Sequence, residues 1–459
     1  MTPTSTLVCA GCGAVAPPDE PYPFRCPNAG RNDDVDHVLQ RRLDLSGKEF
    51  PTSDDPNPFV RYRELLHSYR FGRAGNLDDD ELRELIETAD QRVAVIDGHG
   101  FQVTPFERSA ALSDRLGFSE HGGVWVKDET GGVAGSHKAR HLFGVLLQLE
   151  VAEHRRLTDP LNRPELAIAS CGNAALAAAV VAAAGRRTLH VFVPEDADPV
   201  VLDRLGSLGA RITVCERHAG SRGDPTVARL RQAIAGGALP FTCQGDLNGL
   251  AIEGGHTLGW EIAASGADLD RIVVQVGGGA LASAVAGGLK EASRLGAIGL
   301  RPRIDTVQTE SAWPLKRAYE AVCMNPGGLT YARTHRHSFM WPWETTPHSV
   351  AHGILDDETY DWAAVIEAML TTGGRPVVAG EELLGAANAL ARESTGIPVD
   401  PTGSSGLAGL LVLRDEGIVG NDERVAVLFT GVDRSSANHA RRRSHEEFSG
   451  TRHFVAQGL

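Results

Sequence analysis

Lys138 stands in the run Glu129-Thr130-Gly131-Gly132-Val133-Ala134-Gly135-Ser136-His137-Lys138-Ala139-Arg140, a strand end and glycine-rich turn that deliver one lysine to the start of a helix. Such a placement presents an amine to an aldehyde, and partial desolvation at a helix start lowers the lysine pKa enough to free the amine near neutrality. Lys127, in the alternating run Val124-Trp125-Val126-Lys127, is the rival amine. A second segment, Gly277-Gly278-Gly279-Ala280-Leu281, follows the apolar run 272–276 and opens an Ala/Gly-rich helix. Consecutive backbone N–H groups in such a turn make a concavity for an anion at the positive end of the helix. The dinucleotide fingerprint does not apply, because no G-x-G-x-x-G spacing with its acidic partner follows. In Ser170-Cys171-Gly172-Asn173, Asn173 suits the N-cap of the helix that follows, and Cys171 reads as a small buried side chain. Thr430 ends the apolar run 425–429 ahead of Gly431.

A separate group lies near the N-terminus. Cys9-Ala10-Gly11-Cys12-Gly13 and Arg25-Cys26-Pro27 form two knuckle-like turns, the kind of paired thiolates that hold tetrahedral zinc. Cys9, Cys12 and Cys26 are the candidate ligands; His37 is the nearest fourth, at a spacing from Cys26 that is not a standard one. The alternative is a metal-free, rubredoxin-like remnant packed as a short flap.

The chain of 459 residues, 42% hydrophobic, can bury a sizeable core, with two to three domains as the prior from length. Lys and Arg total 45 against 59 Asp and Glu, a formal net charge of -14, which argues against nucleic acid as a partner. The longest apolar run, 174–185, is rich in Ala and stops at Arg186-Arg187, short of the roughly 20 residues that span a bilayer. The first residues carry neither a basic start nor an apolar stretch of signal-peptide length, so the expected location is the cytoplasm. Seven cysteines, an odd count, suit reduced thiols better than a disulfide framework.

The elements that must position these groups alternate along the chain. Residues 57–97 read as helical, with Asp78-Asp79-Asp80-Glu81 at a helix start and Leu82, Leu85 and Ile86 behind it. Strand-like runs at 124–127, 166–169, 189–193 and 211–214, and again at 272–276, 304–308 and 425–429, are separated by Ala-rich helical stretches, which predicts parallel sheets covered by helices. Residues 311–380, with Trp341-Pro342-Trp343 and many His and Pro, break this periodicity and suggest loops over the site or a subunit contact.

Taken in order, the lysine turn, Ser170-Cys171-Gly172-Asn173, the Gly277–Leu281 turn and Leu428-Phe429-Thr430-Gly431 resemble the fold-type II pyridoxal-phosphate enzymes, over roughly residues 90–435. Within them, the Lys127-Asp128-Glu129-Thr130 approach and the Glu253-Gly254-Gly255-His256-Thr257 helix are most similar to threonine synthase and its relatives in the tryptophan synthase β superfamily. The resemblance implies two doubly wound parallel-sheet domains with pyridoxal 5'-phosphate in the cleft between them. The corresponding division is a cysteine-containing segment 1–50, a helical extension 51–97, a large domain of 98–139 and 245–445, and a small domain 140–244. It implies that Lys138, not Lys127, carries the cofactor as a Schiff base and is catalytic. It also implies that Gly277, Gly278, Gly279, Ala280 and Leu281 bind the phosphate and that Asn173 meets the ring hydroxyl. Ser170, with the backbone at Cys171 and Gly172, would hold the substrate carboxylate, and Thr430 would face the pyridine nitrogen. Asp400-Pro401-Thr402-Gly403 is similar to the Glu-Pro-Ala-Ser segment that walls that site, with a structural turn as the other reading.

A hydroxyl at the ring nitrogen, unlike a carboxylate, does not stabilise a pyridinium, which favours elimination or replacement over transamination. The expected activity is β- or γ-elimination or replacement on a small amino acid by a homodimer. The alternatives are a dehydratase or ammonia-lyase and, from another class, a non-catalytic amino-acid-binding regulatory subunit. The pattern departs from Gly-Ser-Phe-Lys-Asp-Arg at His137 and Ala139, and the lost acid removes an internal partner for Arg140 or a neighbour. Arg303, Arg333, His335 and Arg336 are candidates for a substrate phosphate by composition alone.

Overall fold

The computed structural model describes residues 5–30, 33–217 and 223–434. Strands β1 (Ser5–Cys9) and β2 (Leu39–Leu43) form an antiparallel ribbon. Strands β3 (Phe106–Ser109) and β4 (Gly123–Asp128) open a second sheet. A third is made of β5 (Leu166–Ala169), β6 (Leu189–Pro194), β7 (Arg211–Cys215) and β8 (Leu239–Pro240). The chain then returns to the second sheet with β9 (Arg271–Gln275), β10 (Arg303–Thr309), β11 (Pro376–Ala379) and β12 (Arg424–Phe429). The orders are β11-β10-β9-β12-β4-β3 and β7-β6-β5-β8, parallel except for β3 at the edge. Every residue of β9 is buried, as expected of a parallel strand covered on both faces. The expected pair of parallel-sheet units is thus present.

The helical stretch 57–97 is broken into Pro58–Arg61, a 3-10 turn Arg63–Leu65, His67–Ala74 and Asp79–Asp97. Asp78 and Glu81 make a reciprocal capping box at the last of these, and Leu82, Leu85 and Ile86 are buried as their spacing suggests. Residues 311–380 are more regular than their sequence: helices Pro314–Met324 and Trp362–Thr372 and strand β11 lie within them, and only part forms a loop near the cleft. The end of the expected large domain at residue 445 lies outside the described residues.

The lysine helix, Lys138–His154, is buried from Ala139 to Ala152. It packs on helices Asn173–Ala184 and Ala251–Ala264, crossing the latter where Gly144 meets Gly254. A Cβ on Gly254 would lie 1.9 Å from the Arg140 carbonyl oxygen, so only glycine permits this approach. Beneath the crossing, Arg140 pairs with Glu129 at 2.8 Å and with Glu261, and Lys127 Nζ pairs with Glu261 and donates to the Thr104 carbonyl at 2.8 Å. All four charged groups are buried. Burial alone would favour neutral Arg140, but the two carboxylates more than offset this and hold its pKa above the ordinary value. Arg140 thus has two buried acidic partners, Glu129 and Glu261, with alanine at position 139.

No helix among the described residues is long and apolar enough to cross a membrane. Gly254→Ala should lower unfolding stability by about 1–3 kcal/mol, because backbone rather than a flexible side chain must give way; urea denaturation at constant m-value measures it.

Candidate active site

Parallel pairing of β4 and β12 sets Asp128 beside Phe429, so the lysine turn and Thr430 leave the sheet at the same carboxyl edge. Main-chain bonds then join the loops: Glu129 N–H to Phe429 O (2.8 Å), Val432 N–H to Gly135 O (3.0 Å) and Asp400 N–H to Gly431 O (2.9 Å). A Cβ on Gly431 would sit 2.7 Å from Asn173 Nδ2 and 2.8 Å from Asp400 Oδ2, so the bare residue lets three loops converge. Ala134, in the turn, holds the left-handed conformation at φ 56°, steadied by Asp97 accepting its N–H at 2.8 Å.

Lys138 is half-buried, and its amine makes no hydrogen bond or ion pair among the described residues. Lys127, by contrast, is fully buried and spent on Glu261 and Thr104. The neighbouring His137 lies with Nδ1 3.3 Å from Thr430 O and with Nε2 unpartnered; burial first, then the Lys138 charge, push its pKa well below the ordinary value.

Gly279, at φ 95°, is the N-cap of helix Ala280–Arg294, and no side chain caps that helix. Its first N–H groups therefore lack an acceptor from the helix itself, which suits an anion such as a phosphate. The Cα faces of the same glycines are covered by residues 354–361. Thr359 donates to Gly277 O at 3.0 Å and Asp361 N–H to Gly278 O at 3.0 Å. A Cβ on Gly277 would come within 2.2 Å of Asp356 Oδ2, and one on Gly278 within 2.9 Å of Tyr360. Burial raises the Asp356 carboxyl to about 6, against the Lys138 charge and the Gly278 N–H.

Asn173 is the first residue of its helix and not the cap; Gly172 takes that place with no side-chain bond. The N-cap reading of Asn173 is corrected accordingly, since its amide is turned toward Asp400 and Arg434. Nδ2 lies 3.5 Å from Asp400 Oδ2, while Arg434 donates to Asn173 Oδ1 and, at 2.6 Å, to Ala134 O. Asp400 itself caps helix Pro401–Asp415, its side chain accepting the Gly403 N–H, as the structural-turn reading expects. Ser170 Oγ is 3.4 Å from Gly172 N, and Cys171 is half-buried with its thiol pushed up by burial. Thr430 is buried, with Gln275 Nε2 2.7 Å from its hydroxyl.

Sequence reasoning passed over Gln275, Arg434 and Asp356. Gln275 had a signal, as the one polar residue in the run 272–276; the other two stand in irregular segments without any. The basic residues picked out by composition do not gather at Lys138. Arg333 pairs with Glu367, Arg336 with Asp36 and Glu358, His335 stacks on Tyr331, and Arg303 is exposed at the opposite edge of the sheet. A cavity of about 590 Å³ also lies apart from Lys138, between β2 and helices Ala251–Ala264 and Ala280–Arg294, where Arg41 is ion-paired to Glu253 and Glu291.

The four N-terminal candidates do come together. The ligand atoms of Cys9, Cys12, Cys26 and His37 lie within 4.8 Å of one another, with Cys12 and Cys26 sulfurs 3.6 Å apart. Bonds of about 2.3 Å to a tetrahedral zinc give a sulfur–sulfur edge of roughly 3.8 Å, so the donor set fits that ion. His37 turns Nδ1 to the Cys9 sulfur at 3.6 Å, and its Nε2 lies 3.1 Å from Asp33, an arrangement that orients a ligating imidazole. N–H groups of Cys12 and Asn28 point at the Cys9 and Cys26 sulfurs at 3.4 and 3.3 Å.

A family model described as pyridoxal-phosphate dependent enzyme matches residues 99–431. The chain belongs to this family. It is 26% identical over 350 residues to a threonine synthase of Methanocaldococcus jannaschii, covering 75% of this chain and 77% of that protein. Against a threonine synthase of Methanosarcina acetivorans it is 28% identical over 338 residues, covering 72% and 74%. Among solved structures, the holo diaminopropionate ammonia lyase of Escherichia coli superposes with a TM-score of 0.58 at 16% identity, covering 78% of this chain and 91% of that one. Maize serine racemase superposes with a TM-score of 0.57 at 19% identity, covering 80% and 98%. At these identities the structural likeness concerns the fold.

One residue ties the lysine helix to its neighbour in a pH-dependent way. His141 is buried with Nδ1 2.8 Å from Ala251 O, and burial, followed by the Lys138 charge, lowers its pKa to about 3. A base depressed in the fold contributes stability above its unfolded pKa of about 6.5, and that contribution is lost as pH falls toward the folded value. The stability advantage of wild type over His141→Gln in urea should therefore shrink steadily from about pH 7 to about pH 5.

Proposed function

We propose that this family member acts on a small amino acid by elimination or replacement at its β- or γ-carbon, in the manner of its threonine synthase relatives. The observation that carries this reading is a half-buried amine at Lys138, with no hydrogen bond or ion pair among the described residues, on the same sheet edge as an uncapped glycine turn. Bound pyridoxal phosphate supplies an electron sink for charge developing at the α-carbon. The chain's own residues do the rest. Gly279, Ala280 and Leu281, with Gly277 and Gly278, hold the phosphate through main-chain N–H groups. Asn173, its amide fixed by Arg434, faces the ring hydroxyl, and Thr430 meets the ring nitrogen. Ser170 and the main chain of Cys171 and Gly172 hold the substrate carboxylate, and the Lys138 amine takes and returns the α-proton. We take residues 140–244 as the small domain and the flanking sheet as the large one, and the working form as a cytoplasmic homodimer.

Deamination of a β-substituted amino acid, as in the ammonia lyase of similar fold, and a purely ligand-binding role are the competing outcomes. O-phosphohomoserine, serine, threonine and 2,3-diaminopropionate, each offered to the holoprotein, separate them: release of phosphate or keto acid supports catalysis, and a static visible band supports binding alone. Borohydride reduction followed by peptide mass spectrometry should place the cofactor on Lys138, and Lys138→Ala should lower turnover by roughly 10³-fold or more. An adduct on Lys127 overturns the assignment.

The N-terminal cluster completes the proposal as a structural zinc centre of Cys9, Cys12, Cys26 and His37. Purified protein should carry one equivalent of zinc, lost in Cys26→Ser, while Asp33→Ala should bind it about 10- to 100-fold more weakly; elemental analysis and competition with a chromogenic chelator measure both.

A further inference from the structure

Gln275 ends β9 and is buried, and its Nε2 lies 2.9 Å from Gly403 O, 3.1 Å from Leu428 O and 2.7 Å from Thr430 Oγ1. Two of these neighbours are carbonyls that can only accept, so the nitrogen and not the oxygen of the amide must point here. An amide nitrogen cannot accept a hydrogen bond. At 2.7 Å the Thr430 hydroxyl must therefore turn its own hydrogen away from Gln275. That hydrogen meets no acceptor among the described residues, although Thr430 is only 3% exposed. A buried donor left unmatched is destabilising, so the arrangement calls for an acceptor from outside the protein.

We infer that Gln275 is a positioning residue that fixes the Thr430 hydroxyl as a donor, so that the site selects an unprotonated ring nitrogen. The inference rests on the cofactor reading above, in which Thr430 meets that nitrogen. The amide is held for this task by main chain from two other elements, the start of helix Pro401–Asp415 and the end of β12. A Cβ on Gly406 would lie 3.1 Å from Gln275 Oε1 and 2.8 Å from Val273 O, so a bare residue there leaves room for the side chain. Since Gln275 is neutral and donates, nothing in this arrangement returns a proton to the ring. The hydroxyl's polarity, and with it the weak electron sink that favours elimination, is set one residue away from the cofactor.

The test compares equilibrium binding of pyridoxal phosphate and its 1-deaza analogue, in which C–H replaces the ring nitrogen and cannot accept. Wild type should prefer the nitrogen ring by roughly threefold to tenfold, the worth of one hydrogen bond. Thr430→Ser keeps the hydroxyl and should keep the preference, while Thr430→Val should abolish it. Gln275→Met frees the hydroxyl to rotate and should bring the ratio close to one, with Lys138 still forming the adduct. An unchanged preference in Gln275→Met overturns the role of Gln275 and leaves the cofactor reading standing, whereas equal binding of both rings by wild type, or an unchanged preference in Thr430→Val, overturns the role of Gln275 together with the placing of Thr430 at the ring nitrogen. Failure of wild type to bind either ring overturns both.

Discussion

A desolvated guanidinium two residues beyond Lys138 governs the geometry of this protein. Arg140 is buried, and it is tolerable there only because Glu129 from the lysine turn and Glu261 from a neighbouring helix both reach it, with Lys127 sharing Glu261. Removing one member would strand a charge in the interior, so four positions of the chain are locked together. The same lock explains why two lysines eleven residues apart have different fates. One neutralises the network; the other, half-buried, has an amine with no hydrogen bond or ion pair among the described residues.

The glycine turn after β9 serves two neighbours at once. No side chain caps its N–H groups at the head of helix Ala280–Arg294, while its missing side chains admit residues 354–361 against the same main chain, where the Gly278 N–H meets Asp356. That covering segment is in turn tied to the cysteine module: Asp36, next to His37, pairs with Arg336, and Arg336 with Glu358. Main-chain bonds from Asp36 N–H to Arg333 O and from Arg336 N–H to Asp34 O, each 2.8 Å, reinforce the seam. The N-terminal module is thus packed against the segment that covers the glycine turn and is not a detached appendage.

The parallel strands other than the short β8 and β11, the lysine turn and the glycine turn could be read from the chain, because each rests on local rules: alternation or continuous burial in strands, glycine where N–H groups must cluster, and a helix following each turn. Gln275 was hidden in an apolar run, where a single amide gives no sign of which oxygens surround it. Asn173 was open to an N-cap reading because both roles use the same side chain and the same helix start; only Asp400 and Arg434, more than 200 residues away, decide between them. Residues 311–380 looked irregular because Pro, His and Trp interrupt their periodicity, although the helices there bury ordinary apolar faces.

By itself the sequence determined the α/β class, the alternation of strands and helices along the chain and the two lysines, Lys127 and Lys138, that compete as the amine, since these follow from short-range pattern and the chemistry of individual residue types. Only tertiary structure decided which partners those residues meet: Glu261 for Lys127, Arg434 for Asn173, Gln275 for Thr430, and His37 as the fourth of the clustered metal-ligand candidates. The physical reason is that hydrogen-bond direction and buried charge pairing depend on groups brought together by strand order and helix crossing, at separations along the chain over which local pattern carries no information.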